Sequence, residues 1–326
     1  MFKDHPKGLI PAALSNMGER FGYYIMNAVL LLFLVSKFGI SDQWSGVIYS
    51  VFYALIYVLS LVGGVLADRK NNYKGVIMAG LIVMALGYIL LSIPITSTSD
   101  NISWLLPFTC VSLLLIAFGN GLFKGNLQAI VGQMYDDLEA EAAKKGPEAL
   151  RIAKTKRDSG FQIFYVFINI GGLIAPFVAP LLRSWWLGRN GLLYNAGLPE
   201  LCHKVLNNAA MTVEETANLA KWTTEVGGTI PTPEFCHTYL EVFNTGVHYS
   251  FIASVVAMLI SLIIFISTRG LFPEPPKKVQ VETQGYTAEE KAAMASEIKQ
   301  RMYALFAVLG VAVFFWFSFH QNGQSQ

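Results

Sequence analysis

The sequence predicts an all-α polytopic membrane protein, and two observations carry that prediction. Hydrophobic residues make up 53% of the 326 positions and charged residues only 14%, whereas a soluble domain carries about 25% charged residues. The few charges also cluster between long uncharged runs, each near the roughly 20 apolar residues that a spanning helix needs. In lipid only helices and closed barrels satisfy their own backbone. These runs do not alternate polar with apolar residues, so they read as helices. The net charge of +2 argues against an electrostatic nucleic-acid binder, and the apolar content against a disordered chain.

Seven segments follow in order. The first, about 8–36, is interrupted only by Glu19 and Arg20. The next three uncharged runs are 44–67, 75–98 and 101–123. A stretch dense in both charge signs, 136–159, reads as a helical loop before the fifth run, 160–182. Residues 183–247 then form a moderately polar insertion, punctuated by Gly227, Gly228, Pro231 and Pro233. The sixth run is 249–268 and the seventh 302–319. The linker between them, 269–301, opens with Pro273, Pro275 and Pro276. A capping-box pattern, Thr287 with Glu290, then starts an amphipathic helix. The expected organisation is therefore helices 1–5 in 1–182, an extracytoplasmic insertion at 183–247, helix 6 in 248–268, a cytoplasmic linker at 269–301 and helix 7 in 302–326.

Basic residues set the orientation. With the N-terminus inside, the inner segments hold 17 Lys and Arg and the outer ones five. The positive-inside rule places the N-terminus in the cytoplasm, and a bacterial cytoplasmic (inner) membrane is the expected location. On the outer side an oxidising compartment permits Cys202 and Cys236 to pair; two separate thiols are the alternative. Cys110, in the fourth run, reads as a packing residue.

Charges inside a bilayer are costly and usually line a functional cavity. Glu19, Arg20 and Lys124 are the three that lie well within the runs. Asn16, Glu19, Arg20, Tyr23 and Asn27 form one polar stripe at helical spacing on an apolar helix. A buried ion pair that fixes packing is the structural alternative. In the fourth run Lys124 is flanked one turn away by Asn120 and Gln128. Glu19, the acid deep in a run, is its expected partner across a central cavity. Tyr49, Tyr53 and Tyr57 make one aromatic face on the second helix, which suits packing somewhat better than ligand contact. Asp68 and Arg69 end that helix as a candidate conformational latch. Asn169 precedes Gly171, Gly172, Pro176 and Pro180 in the fifth run, a broken-helix pattern found in transporters. Trp316, His320 and Gln321 end the seventh. No HExxH, phosphate loop or nucleophile elbow is present, so neither an enzyme nor a metal or cofactor is expected.

These motifs resemble one family, the proton-dependent oligopeptide transporters of the major facilitator superfamily. The family pattern ExxERFxYY matches Asn16 to Tyr24 except at its first position. GGxxADR matches Gly63 to Arg69, and FK(P/G)N matches Phe123 to Asn126. The fifth-helix signature matches Phe161 to Leu173, and FW…Q matches Phe315, Trp316 and Gln321. The resemblance implies two six-helix bundles around a central site with alternating access. This chain would then supply the first bundle plus a seventh helix. It implies proton-coupled symport of di- and tripeptides, so small peptides, protons and the lipid bilayer are the expected partners. By position, Glu19, Arg20 and His320 serve proton coupling. Arg20 and Lys124 lie near the peptide carboxylate, and Tyr23, Tyr24, Tyr57, Asn169, Trp316 and Gln321 line the pocket. The family's first glutamate is Asn16 here and its seventh-helix acid is His320, so Glu19 is expected to carry the proton, with or without His320. The alternatives are a same-fold carrier of nitrate or an amino-acid derivative, and a non-transporting receptor or anchor using 183–247. Ending at Gln326, the chain is expected to be a fragment. Oligomeric state is not legible.

Overall fold

The computed structural model describes residues 5–98, 101–273, 295–308 and 310–311. Its elements are helices α1 (Leu9–Phe38), α2 (Asp42–Lys70), α3 (Tyr73–Ser92), α4 (Ile102–Lys145), α5 (Pro147–Arg189), α6 (Leu198–Leu206), α7 (Val213–Glu225) and α8 (Pro233–Ser267). Six of them, α1 to α5 and α8, are long and apolar enough to cross a membrane. Half of the seventh expected span, 302–319, falls outside the described residues; its described part is helical. The linker's capping box at Thr287 also lies outside them.

The charged loop 136–159 is helical, as its composition implies. α4 and α5 run past their apolar portions and meet at Gly146 (φ +121°). Arg157 bridges them, with Asp136 at 3.0 Å and Glu139 at 3.3 Å. The insertion is built from α6 and α7 and from the end of α5 and the start of α8. Thr212 opens α7 with a full capping box to Glu215, which satisfies two orphan helix donors.

Helices in lipid gain no hydrophobic drive toward one another, so small residues and interhelical hydrogen bonds hold them. α1 carries Gly18 and Gly22, a GxxxG pair. A Cβ at either would stand 3.2 Å from a backbone carbonyl of α8, Ala257 or Ser254. Serines stitch the seam: Ser254 Oγ donates to the Gly22 carbonyl at 2.9 Å, and Ser15 Oγ lies 3.0 Å from Ser261 Oγ. On the opposite flank, α4 uses Gly121 against α2, where Asn126 Nδ2 donates to the Gly63 carbonyl at 3.0 Å. The tightest approach to backbone is here, since a Cβ on Gly63 would fall 2.2 Å from the Gly121 oxygen. Gly64, the next residue, has open space. Gly63→Leu should therefore abolish the monodisperse folded peak in fluorescence-detected gel filtration. Overpacking costs about 1–3 kcal/mol even in yielding cores, and backbone cannot yield. Gly64→Leu should leave the peak unchanged; equal behaviour of the two variants would contradict this packing. Cys110, expected inside the packing, is instead exposed on α4.

Candidate functional site

The polar stripe of α1 faces inward. Asn16, Glu19, Arg20 and Tyr23 are all buried, with Glu19 0% exposed. Glu19 and Arg20 form a bidentate pair: Arg20 Nε donates to Glu19 Oε2 at 2.5 Å and its Nη2 to Oε1 at 2.8 Å. Asn120 of α4 completes the arrangement, its Nδ2 donating to Glu19 Oε1 at 2.6 Å. The glycines on either side of Asn120 let it reach in. Gly119 approaches α3 at Gly80 and Gly121 approaches α2 at Leu59, so α4 packs without side-chain spacers on both flanks. The other Asn120 amide atom, Oδ1, is buried with no partner among the described residues.

The expected Lys124–Glu19 pair is not formed. Among the described residues Lys124 has no carboxylate within ion-pair distance; its Nζ sits 4.9 Å from the Tyr57 ring centroid. The reason is competition. Arg20 is already beside Glu19, and a guanidinium fork takes both carboxylate oxygens where an ammonium takes one. Asn120, one turn before Lys124 on α4, fills the remaining acceptor position. Lys124 stands within electrostatic reach of Arg20 and Glu19 without joining their pair.

The tyrosine face of α2 lies beside this cluster. Tyr49 Oη donates to Asn27 Oδ1 at 3.0 Å, tying α2 to α1. Tyr53 and Tyr57 hydroxyls lie 3.2 Å apart. Tyr57 is 51% exposed, so it presents its ring and hydroxyl rather than filling the core. Arg20 Cζ stands 5.1 Å from the Tyr23 ring centroid, and Tyr23 meets Tyr24 edge-on at 5.5 Å. Tyr24 also packs against Gly172 of α5. Asn169, one turn of α5 earlier, is exposed. The structure thus gathers Glu19, Arg20, Tyr23, Tyr24, Tyr57 and Lys124 from α1, α2 and α4. Asp68 accepts from the Tyr73 hydroxyl across the α2–α3 turn, and both Asp68 and Arg69 are exposed. Trp316, His320 and Gln321 lie outside the described residues. Cys202 of α6 and Cys236 of α8 are both buried thiols within hydrogen-bonding reach of each other. That contact, with burial, pushes the Cys202 thiol above its ordinary range. The residue that reading along the chain undervalued is Asn120. Its sequence signal is the Gly-Asn-Gly setting on an apolar helix.

The model of the POT family matches residues 74–288. This chain belongs to the POT family. Its similarity extends to "Uncharacterized transporter YclF" of Bacillus subtilis, 34% identical over 56% of this chain and 33% of that protein. "Dipeptide and tripeptide permease B" of Aliivibrio fischeri is 33% identical over 56% of this chain and 32% of the permease. "Dipeptide and tripeptide permease A" of Klebsiella pneumoniae is 26% identical over 93% of this chain and 52% of the permease. Among solved structures, a peptide transporter POT in complex with sulfate superposes with TM-score 0.54 at 24% identity, covering 96% of this chain and 47% of that one. A POT family transporter in complex with 5-aminolevulinic acid gives TM-score 0.54 at 23% identity, over 96% and 48%. These likenesses place the helices in the major facilitator fold of POT transporters. The chain spans between about a third and half the length of the relatives it matches. It is an integral, multi-pass membrane protein whose relatives are transporters rather than enzymes.

Proposed function

We propose that this chain forms the cation-bearing half of a proton-coupled di- and tripeptide symporter, with Arg20 and Lys124 receiving the peptide carboxylate. The observation that carries the reading is the buried Glu19–Arg20–Asn120 cluster with Lys124 close by and unpaired with any described carboxylate. A proton on Glu19 removes the charge that holds Arg20. The guanidinium is then available to a substrate carboxylate, for which its fork geometry is suited. Loss of that proton restores the internal pair and releases the substrate. Protonation and binding thereby become linked through one side chain. Tyr23, Tyr24, Tyr57 and Asn169 supply rings and hydrogen-bonding groups for the peptide backbone, with Trp316 and Gln321 contributed from the seventh helix. His320 is the second candidate proton carrier. Asp68 and Arg69, exposed at the end of α2, act as the latch between states, facing the cytoplasm with the N-terminus, in a bacterial inner membrane.

The test is uptake of a labelled dipeptide by the protein expressed from its intact reading frame, in liposomes with an imposed proton gradient. Uptake should follow the gradient and vanish when it is collapsed. Transport indifferent to the gradient would refute the coupling. A second reading rests on the same cation: the related transporter bound to 5-aminolevulinic acid makes an amino-acid-like carboxylate a suitable competitor. If 5-aminolevulinic acid is carried and dipeptides are not, the substrate class moves to that reading.

The Cys202–Cys236 contact supports a disulfide on the outer face. Each thiol loses a proton and an electron to a disulfide-bearing oxidoreductase of that compartment. Thiol labelling with and without reductant should find both cysteines blocked until reduced. The reduced protein should be destabilised by up to about 4 kcal/mol, from the length of the closed loop. Two freely labelled thiols in freshly isolated membranes would rule the bond out.

A further inference from the structure

A second cationic site lies away from the Glu19 cluster, on the side of the molecule that carries α6 and α7. A cavity of about 370 Å³ opens between the end of α1, the α3–α4 connection, α6 and the first turns of α8. The insertion makes it. His203 of α6 donates from Nε2 to the Ser36 carbonyl at 2.8 Å, and Asn244 Nδ2 donates to the same oxygen at 3.0 Å. Gly39, at φ +63°, lets the His203 ring come this close, because a Cβ there would stand 2.8 Å from the imidazole. The left-handed backbone and the missing side chain are both required. Burial holds the His203 imidazole below its ordinary value.

Lys37 is the unusual member of the lining. Its side chain is 4% exposed, yet among the described residues no carboxylate lies within ion-pair distance. Its Nζ has one hydrogen-bond partner, His248 Nε2 at 3.2 Å. His248 in turn gives its Nδ1 proton to the Leu91 carbonyl at 3.2 Å, which leaves Nε2 as an acceptor. Around the ammonium stand the Phe33 and Phe38 rings, 4.9 and 5.9 Å from Nζ to the centroids. Rings and one imidazole compensate a buried charge only in part. Two ammonium donors remain for a ligand on the cavity side. The same wall holds the Thr98 hydroxyl and His237, with Glu241 as its described acid.

We propose that this cavity binds a phosphate-type oxyanion, with Lys37 as its cation and the α6 insertion as its outer wall. A compact ammonium with spare donors, and hydroxyl groups on the same cavity wall, are the donor set such an anion needs. Glu241 at the rim opposes the anion and weakens it. The anion can come from solution or from a lipid headgroup, and two probes separate these sources.

The experiment uses the protein from its intact reading frame, purified in a neutral detergent. Thermal stability is followed against inorganic phosphate at constant ionic strength, and in nanodiscs of phosphatidylglycerol against phosphatidylcholine. The expected result is a saturable rise in melting temperature with one probe or both. Lys37→Gln should weaken binding about tenfold or more, the loss of one charged hydrogen-bond set. Glu241→Gln, on an exposed position, should tighten it by about threefold, as removal of a screened like charge allows. Since Glu241→Gln perturbs no buried group, it keeps the test decisive if Lys37→Gln fails to fold. A response to phosphate identifies a solution anion, and a response to phosphatidylglycerol alone identifies a headgroup. No response to either probe, or a response that neither variant changes, overturns the proposal.

Discussion

Glu19→Ala is expected to destabilise the bundle by about 3–5 kcal/mol, the cost of breaking a buried pair by removing one partner. It leaves the Arg20 guanidinium, buried and doubly bonded to Glu19, without a counter-charge. It also leaves Asn120 Nδ2, 2.6 Å from Glu19 Oε1, without an acceptor. Glu19→Gln keeps an oxygen for Asn120 and removes only the charge. It should fold better than the alanine variant and still fail to drive uptake, because a carboxamide takes up no proton near neutral pH. Replacing both partners, Glu19→Gln with Arg20→Met, should recover stability relative to Glu19→Ala, since no uncompensated charge remains. Thermal unfolding and gradient-driven dipeptide uptake measure the two effects separately. Full uptake by Glu19→Gln would remove Glu19 from the coupling role.

Lys124→Ala should do the reverse, harming binding and sparing stability. Its ammonium holds no described carboxylate, and the Tyr57 ring beneath it is worth about 0.5–1 kcal/mol at a partly exposed site. Truncating one member of a charged pair across a binding interface costs about 2–5 kcal/mol. Dipeptide affinity should therefore fall by roughly 30-fold or more. A dipeptide amidated at its C-terminus isolates the cause. It should bind the native protein weakly and lose little more on Lys124→Ala, because the carboxylate is already gone. Equal losses for free and amidated peptides would assign Lys124 a role other than carboxylate recognition.

The span-forming helices were legible because lipid imposes a single-chain rule. A helix satisfies its own backbone, so length and apolar content decide where it runs, and six of the seven expected spans are described as such. The helical character of 136–159 was legible from its density of both charge signs, and Glu148 with Arg151 pairs there at helical spacing. The family was legible because its motifs join local patterns in a set order. Which residue Glu19 pairs with was not. A buried Glu19–Arg20 pair is the structural alternative along the chain, but such a pair is a weak source of stability, so Lys124 reads as the complementary partner. Long side chains fold back along the helix, and Asn120 reaches Glu19 only because glycines bring α4 close to α2 and α3. The burial of Lys37 was equally hidden, for along the chain it reads as a flanking cation, and only the packing of α8, the α3–α4 connection and the insertion around the end of α1 encloses it. The sequence alone thus determined an apolar, helical POT bundle in a membrane with a few charges inside it. The partner of each buried charge was decided only in the tertiary structure, because that choice depends on distances between helices that backbone approach, and not sequence spacing, sets.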